Sequence, residues 1–327
     1  MCPALPRKYG IMHNDEKTSL RGRVLKGLGV RAASGAVLLA VVIAAIWLQG
    51  PLLMLCIAAA ASLAAHEFYS VVRRAGYKPW YPAGLSVALL LALRGYLGGD
   101  LLSGAAYIGP SVAAEVMVLV LVLVLALARQ GLYWRASLRA TRVEASNGAE
   151  STSLPGRSPY LTWADLGLTL AGALYTGGLI GYAPLLAAQA RGADQAGAFK
   201  WLLLVLLGTA ACDTGAYLVG SLTGKHKLIP HISPGKTWEG LAGGVLGAVV
   251  AAVAFSGLLA LSLPQAIALG LLVCAAAVSG DLCESLLKRA AGVKDSGHLI
   301  PGHGGILDRI DSILFVLPAV YWFLQVI

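Results

Sequence analysis

The chain has 327 residues, of which 57% are hydrophobic and 13% charged, and its net charge is +9. Soluble domains carry about 25% charged residues, so this composition, with a mean hydropathy of +0.74, excludes one. The positive balance shows no aromatic-interleaved basic stripe, which argues against nucleic acid as a partner and leaves membrane topology and anionic headgroups as its meaning.

A hydrocarbon core of about 30 Å takes about 20 apolar residues per helix, and on that measure the chain reads as all-α, a polytopic transmembrane helical bundle of about nine spans. They fall near 31–48, 51–71, 82–98, 111–128, 165–189, 199–222, 240–262, 264–287 and 307–326. Residues 1–30 form a basic segment that Asp15 and Glu16 interrupt, with no cleavage site after it, so it reads as a cytoplasmic tail and not as a signal peptide. With that tail inside, the loops on the same side carry Arg73, Arg74 and Lys78, then Arg129, Arg135, Arg139, Arg142 and Arg157, then Lys225, Lys227 and Lys236, then Lys288, Arg289 and Lys294. That is the distribution the positive-inside rule requires, and the expected location is a bacterial inner membrane.

The N-terminal spans, 31–128, are rich in Ala, Val and Leu. Of their few charges, Glu67 and Glu115 read as interface boundaries and Arg94 as a snorkelling side chain or a partner of Glu115, none with a catalytic role. Residues 129–162, with their Ser, Gly, Pro and Arg, read as a flexible cytoplasmic loop. The remainder, 163–327, holds the polar clusters and is the expected catalytic region. The five cysteines, at 2, 56, 212, 274 and 283, lack metal-ligand spacing and read as small core residues.

The first cluster is DTGAYLVGSLTGKHKLIPHISPGKTWE, Asp213 to Glu239. Asp213 lies within an apolar helix, and Tyr217 and Gly220 share its face at i+4 and i+7. An acid at that depth costs free energy, so it marks either a functional site or an interhelical hydrogen bond. The following loop supplies Lys225, Lys227, Ser233, Lys236 and Thr237, a basic patch suited to a triphosphate. Gly235, Lys236 and Thr237 resemble the end of a P-loop, but Pro230 stands where its first glycine belongs and no soluble strand precedes it.

The second cluster, SGDLCESLLKRAAGVKDSGHLIPGHGGILDRIDS, runs from Ser279 to Ser312. Asp281, Glu284, Ser285 and Lys288 share one helix face, and Asp308 and Asp311 repeat the i, i+3 spacing at the start of the last helix. Between them lie Lys294, Asp295, His298 and His303 among glycines that let backbone approach a ligand. Two histidines five apart on such a loop do not make a zinc site. Hard cations such as Mg²⁺ take one or two carboxylates plus substrate phosphates, while Lys and Arg neutralise the remaining charge. The set points to phosphoryl or nucleotidyl transfer at a membrane surface. The structural alternative is a salt-bridge network of Asp281, Glu284, Lys288 and Arg309.

Ser285, Lys288, Arg289, Lys294, Asp295, Gly297, Pro301, His303, Gly304, Gly305, Asp308, Arg309 and Asp311 together resemble the signature of the phosphatidate cytidylyltransferases. The block from Asp213 to Glu239, with Ala216, Tyr217, Gly220, Gly224, Lys225, Ser233, Pro234, Lys236, Thr237 and Trp238, is similar to that family's other block. The resemblance covers the C-terminal part of the chain, while the earlier spans match only in being hydrophobic. It implies that CTP and phosphatidic acid give CDP-diacylglycerol and pyrophosphate.

On that reading Asp281 and Asp308, with Asp213 or Asp311, hold Mg²⁺ against the CTP phosphates. Lys288, Arg289, Lys294 and Arg309 neutralise phosphate, with Asp295 and His303 beside them in the catalytic set. Lys225, Ser233, Lys236 and Thr237 bind substrate, and the turn at His303, Gly304 and Gly305 donates backbone N–H groups. The implied partners are CTP, phosphatidic acid and membrane lipids, and a homodimer stays open. Two rivals remain at this point: a CTP-dependent lipid-alcohol kinase, and a cation-coupled transporter using the same acids.

Overall fold

The computed structural model describes residues 35–97, 162–190, 195–297 and 304–327. It is a helical bundle, and the chain is a multi-pass membrane protein: among the described residues six helices are long and apolar enough to cross a membrane. The fourth expected span, 111–128, the N-terminal basic segment and nearly all of the 129–162 loop lie outside the described residues. The first and third expected spans fall on shorter helices, α1 (Gly35–Leu48) and α3 (Tyr81–Leu97).

Helix α2 (Gly50–Arg74) has Pro51 in its first turn and ends on Arg73 and Arg74, which suit the negative end of its dipole. Gly76, at φ 90°, then turns the chain towards α3. Helix α4 (Trp163–Ala173) opens with a capping box, in which Thr162 accepts from the Asp165 amide and Asp165 accepts from the Thr162 amide. Asp165 also accepts from the Lys78 amide at 2.6 Å, so one buried acid ties the start of α4 to the α2–α3 connection. A single π turn, Leu174–Gly178, and a break at Gly181 carry the chain into α5 (Tyr182–Ala190).

The C-terminal part has four long helices: α6 (Gln195–Thr223), α7 (Trp238–Ser256), α8 (Leu263–Ala290) and α9 (Leu307–Val326). Small residues let them approach backbone to backbone, as membrane helices without a hydrophobic driving force require. Gly215 faces the Gly243 carbonyl, Gly247 faces the Ala211 carbonyl, and Gly280 of α8 lies against the Asp311–Ser312 backbone of α9. Helix α9 also contacts α2 and α5, and so joins the N-terminal helices to the polar half.

The stretch after α6, expected to be a loop, forms an antiparallel hairpin of β1 (Lys227–Ile229) and β2 (Ser233–Thr237). Lys227 pairs with Thr237 and Ile229 with Ser233. Glu239 closes its base by accepting from the His226 amide at 3.2 Å and pairing with the His226 ring at 2.6 Å. Trp238 N–H adds a bond to the His226 carbonyl.

A side chain at Gly280 would drive its Cβ into the Asp311 carbonyl oxygen, closer than real Cβ contacts come. Gly280→Ala is therefore expected to lower stability by about 1–3 kcal/mol through overpacking. Gly167→Ala, in helix α4 with open space around it, is expected to gain up to about 1 kcal/mol. Thermal unfolding of the two purified variants checks both signs.

Candidate active site

Asp213, Tyr217 and Gly220 lie on one face of α6, as their spacing predicts, and that face walls a cavity of about 500 Å³. The other walls are Ser233, Gly235, Lys236 and Thr237 from β2, Gly240 from the first turn of α7, and Val278 and Asp281 from α8. Thr237 is the N-cap of α7, its Oγ1 accepting from the Gly240 amide at 3.1 Å. The positive end of α7 therefore opens on the same space as Lys236, a setting for phosphate oxygens.

Lys236 reaches across to α8. Its Nζ pairs with Asp281 Oδ2 at 2.8 Å and approaches the Val278 carbonyl at 3.5 Å. Asp281 also accepts from Ser285 Oγ, one turn along α8, at 3.2 Å. Asp213 lines the same cavity as Asp281, and the Asp311 backbone lies against Gly280, next to Asp281, so α6, α8 and α9 each bring an acidic residue to this region. Asp311 does not line the cavity itself, and its Oδ1 accepts from the Ser312 amide.

A second polar centre lies where α8 leaves its last turn. Lys288 pairs with Glu284 of its own helix and with Asp308 Oδ1 of α9 at 2.9 Å. Glu284 is 1% exposed and Asp308 11%, so both carboxylates depend on that one ammonium. Asp308 further accepts from the Ser296 amide at 3.2 Å and the Gly305 amide at 3.0 Å. Gly304, at φ 83°, makes the turn that delivers the Gly305 amide. Helix α8 is capped by Ala291, with Gly292 in the left-handed region, and the Gly292 and Val293 amides return to the Arg289 and Lys288 carbonyls.

The anticipated residues thus separate into groups. Lys236, Ser233, Thr237, Asp213 and Asp281 surround the cavity. Lys288, Asp308 and Gly305 form the second centre, and Gly304 shapes its turn. The salt-bridge alternative is realised in part, through Glu284 and Lys288, but Asp281 pairs with Lys236 instead. Arg289 Nε donates to the Ile232 carbonyl at 3.2 Å and ties the hairpin tip to α8. Lys225, Lys294, Asp295 and Arg309 are exposed and do not line the cavity. His303, like His298, lies outside the described residues.

Two residues passed over in the sequence carry structure here. Glu284 sits on the polar face of α8 and figures in the sequence only as a member of the salt-bridge alternative, with no place in the catalytic set. Glu67 of α2, read as a boundary residue, is 2% exposed and bonded to the start of α9. A usable signal for Glu67 exists: an acid inside an apolar helix with no Lys or Arg three or four positions away must find its partners elsewhere.

Among the described residues no three His, Cys, Asp or Glu side chains enclose a metal by themselves. Asp213 and Asp281, on two walls of the same cavity, are instead the one or two carboxylates with which proteins hold Mg²⁺ when substrate phosphates complete its shell. The donor set fits a cation that arrives with a polyphosphate.

Fold and cavity together define a membrane-embedded protein with an acid- and lysine-lined pocket. The chain belongs to the cytidylyltransferase family, whose model matches residues 29–327. It is 46% identical over 132 residues to the uncharacterized protein YnbB of Escherichia coli (strain K12), covering 40% of this chain and 44% of that one. It is 41% identical over 165 residues to the phosphatidate cytidylyltransferase of Bacillus subtilis (strain 168), covering 50% and 60%. With the phosphatidate cytidylyltransferase of Staphylococcus aureus (strain COL) the identity is 48% over 120 residues, covering 36% and 46%. The aligned regions thus span 44% to 60% of these relatives' lengths.

The two lysine pairs differ in burial, and so in what their loss does. Lys288→Met strands two shielded carboxylates and is expected to destabilise by about 3–5 kcal/mol. Lys236→Met breaks a pair whose Asp281 side chain is 38% exposed and is expected to cost less than about 1 kcal/mol. Thermal unfolding of detergent-purified variants separates them.

Proposed function

We propose that this protein transfers the cytidylyl group of CTP to phosphatidic acid, giving CDP-diacylglycerol and pyrophosphate, on the cytoplasmic side of a bacterial inner membrane. The observation that carries the reading is the cavity in which Asp213 and Asp281 face Lys236 and the N-terminus of α7. Family membership and the relatives named phosphatidate cytidylyltransferase supply the nucleotide and the lipid. The basic loops support this orientation, with the hairpin and the α8–α9 connection on the cytoplasmic side.

In this reaction an oxygen of the lipid phosphate attacks the α-phosphorus of CTP, a new P–O bond forms, and the bond to the β-phosphate breaks to release pyrophosphate. The acceptor is already an anion, so no activated side-chain nucleophile is needed. What is needed is the alignment of two polyanions and neutralisation of the charge between them. Lys236 can exchange Asp281 for a phosphate oxygen of the nucleotide without moving far, because both groups border the same space. The α7 amides near Gly240, which Thr237 caps, orient a second phosphate. Ser233 and Gly235 line the approach, Gly235 with open space at its Cα.

Mg²⁺ would be held by Asp213 and Asp281, with Asp311 behind them. When bound it supplies a template and Lewis acid for the phosphates. Asp308, committed to Lys288 and two backbone amides, acts in this scheme by fixing the start of α9 and with it Asp311. Lys288 neutralises its two acids and so keeps α8 in register with α9.

The test is a product assay on detergent-purified protein given α-labelled CTP, phosphatidic acid and Mg²⁺. Label in the lipid phase together with pyrophosphate is the expected result. Soluble labelled CDP with an unlabelled phosphorylated lipid identifies a kinase, and neither product reopens ion transport. In the same assay Asp281→Asn is expected to lower kcat by about 100-fold or more, without recovery at high Mg²⁺, because a carboxylate holding the cation contributes several kcal/mol. Near wild-type turnover across a Mg²⁺ titration would make Asp281 a structural residue.

A further inference from the structure

Glu67 belongs to α2, far from both sequence clusters, yet it reaches into the second polar centre. Its Oε2 accepts from the Leu307 amide at 2.8 Å and from Ser296 Oγ at 3.2 Å, and its Oε1 accepts from the Ile306 amide at 3.1 Å. The partners lie 229 to 240 residues away in the chain. Ile306 and Leu307 begin α9, where amides have no helical acceptor and the dipole favours an anion. Ser296 is on the other flank of the α8–α9 connection, and it too is buried.

The glycines of the connection are cut to the same carboxylate. A Cβ at Gly297 would lie 2.8 Å from Glu67 Cδ, and one at Gly305 2.9 Å from it. Asp308 binds the amides of the same two flanks, those of Ser296 and Gly305. Two acids from different helices, Glu67 and Asp308, therefore both hold the chain before and after residues 298–303.

We propose that Glu67 is a positioning residue for group transfer: it touches no substrate but sets the first turn of α9, and through it where Asp308 and Asp311 stand relative to α8. The proposal rests on the cytidylyl-transfer reading above. Glu67 gives the N-terminal helices a part in the chemistry beyond anchoring. It acts on the α9 side of the polar half, whereas the cavity walls of α6, β2 and α7 are built without it. Its loss therefore affects turnover and leaves nucleotide capture intact.

The experiment uses full-length protein in detergent, with Glu67→Gln as the main variant, since Gln keeps the size but removes the charge and replaces one of the two acceptor oxygens with a donor NH2 facing amides or Ser296. Lipid product formation expected for Glu67→Gln is a kcat lower by roughly 10- to 100-fold, with KM for CTP within about twofold of wild type, the scale of a small misplacement at a reacting centre. Glu67→Asp, which keeps the charge, recovers part of that loss. Gly297→Ala lowers kcat in the wild-type background but adds little in Glu67→Ala, where the carboxylate it would strike is gone.

A Glu67→Gln kcat within about twofold of wild type, a KM for CTP rising in step with the loss, or full additivity of Gly297→Ala and Glu67→Ala would each overturn the proposal. Amide hydrogen exchange provides a readout independent of the reaction: the Ile306 and Leu307 amides lose protection in Glu67→Gln. If wild-type protein makes no lipid product, the assigned reaction fails, and exchange alone decides the clamp. Unchanged protection then overturns it, and lost protection confined to Ser296, Gly297 and residues 304–309 supports it. Should Glu67→Gln not fold, Glu67→Asp with the same two measurements takes its place.

Discussion

A charge shielded from water needs a counter-charge beside it, and Lys288 shows how this fold answers that constraint. One ammonium serves two carboxylates, Glu284 one turn back on α8 and Asp308 at the head of α9. Removing Lys288 leaves two shielded carboxylates without their counterpart, so the contact fixes how α8 and α9 meet. Gly280 allows the same two helices to touch backbone to backbone. Everything polar in the C-terminal half is measured from that junction: Asp281 lies two turns before Lys288 on α8, and Asp311 one turn after Asp308 on α9.

The cavity is assembled by the same means on the neighbouring pair of helices. Glycines at 215, 243 and 247 bring α6 and α7 close, and the hairpin between them is short because its ends are already near each other. Lys236 then has little freedom except to span towards α8, where Asp281 meets it. The two lysines therefore do different work. Lys288 is enclosed and holds architecture, while Lys236 borders open space and can change partners.

Much of this was legible in the residues alone. Apolar runs located the helices, and the i+4 and i+7 spacing from Asp213 correctly put Tyr217 and Gly220 on its face because a helix period leaves no other choice. The hairpin was not legible: Lys227 to Thr237 has three residues of one strand, five of the other and two prolines, too little for an alternation to show. Nor could spacing say which acid each lysine would take, since Asp281, Glu284 and Asp308 are all within reach of a helix turn or a neighbouring helix. Glu67 was hidden for another reason. Its partners are backbone amides more than two hundred residues away, and backbone leaves no trace in composition.

The hairpin carries one more consequence. A two-stranded sheet has two open edges, and an open edge can pair with any extended segment that meets it, which in a crowded membrane invites self-association. Pro234 sits inside β2 and Pro230 just beyond β1, and neither has an N–H to offer. The register also slips between Lys227 and Ile229, which spoils a straight ladder. Exposed lysines at 225 and 227 add mutual repulsion between copies. The segment that walls the cavity is thus also protected, by its own composition, from being recruited into an aggregate.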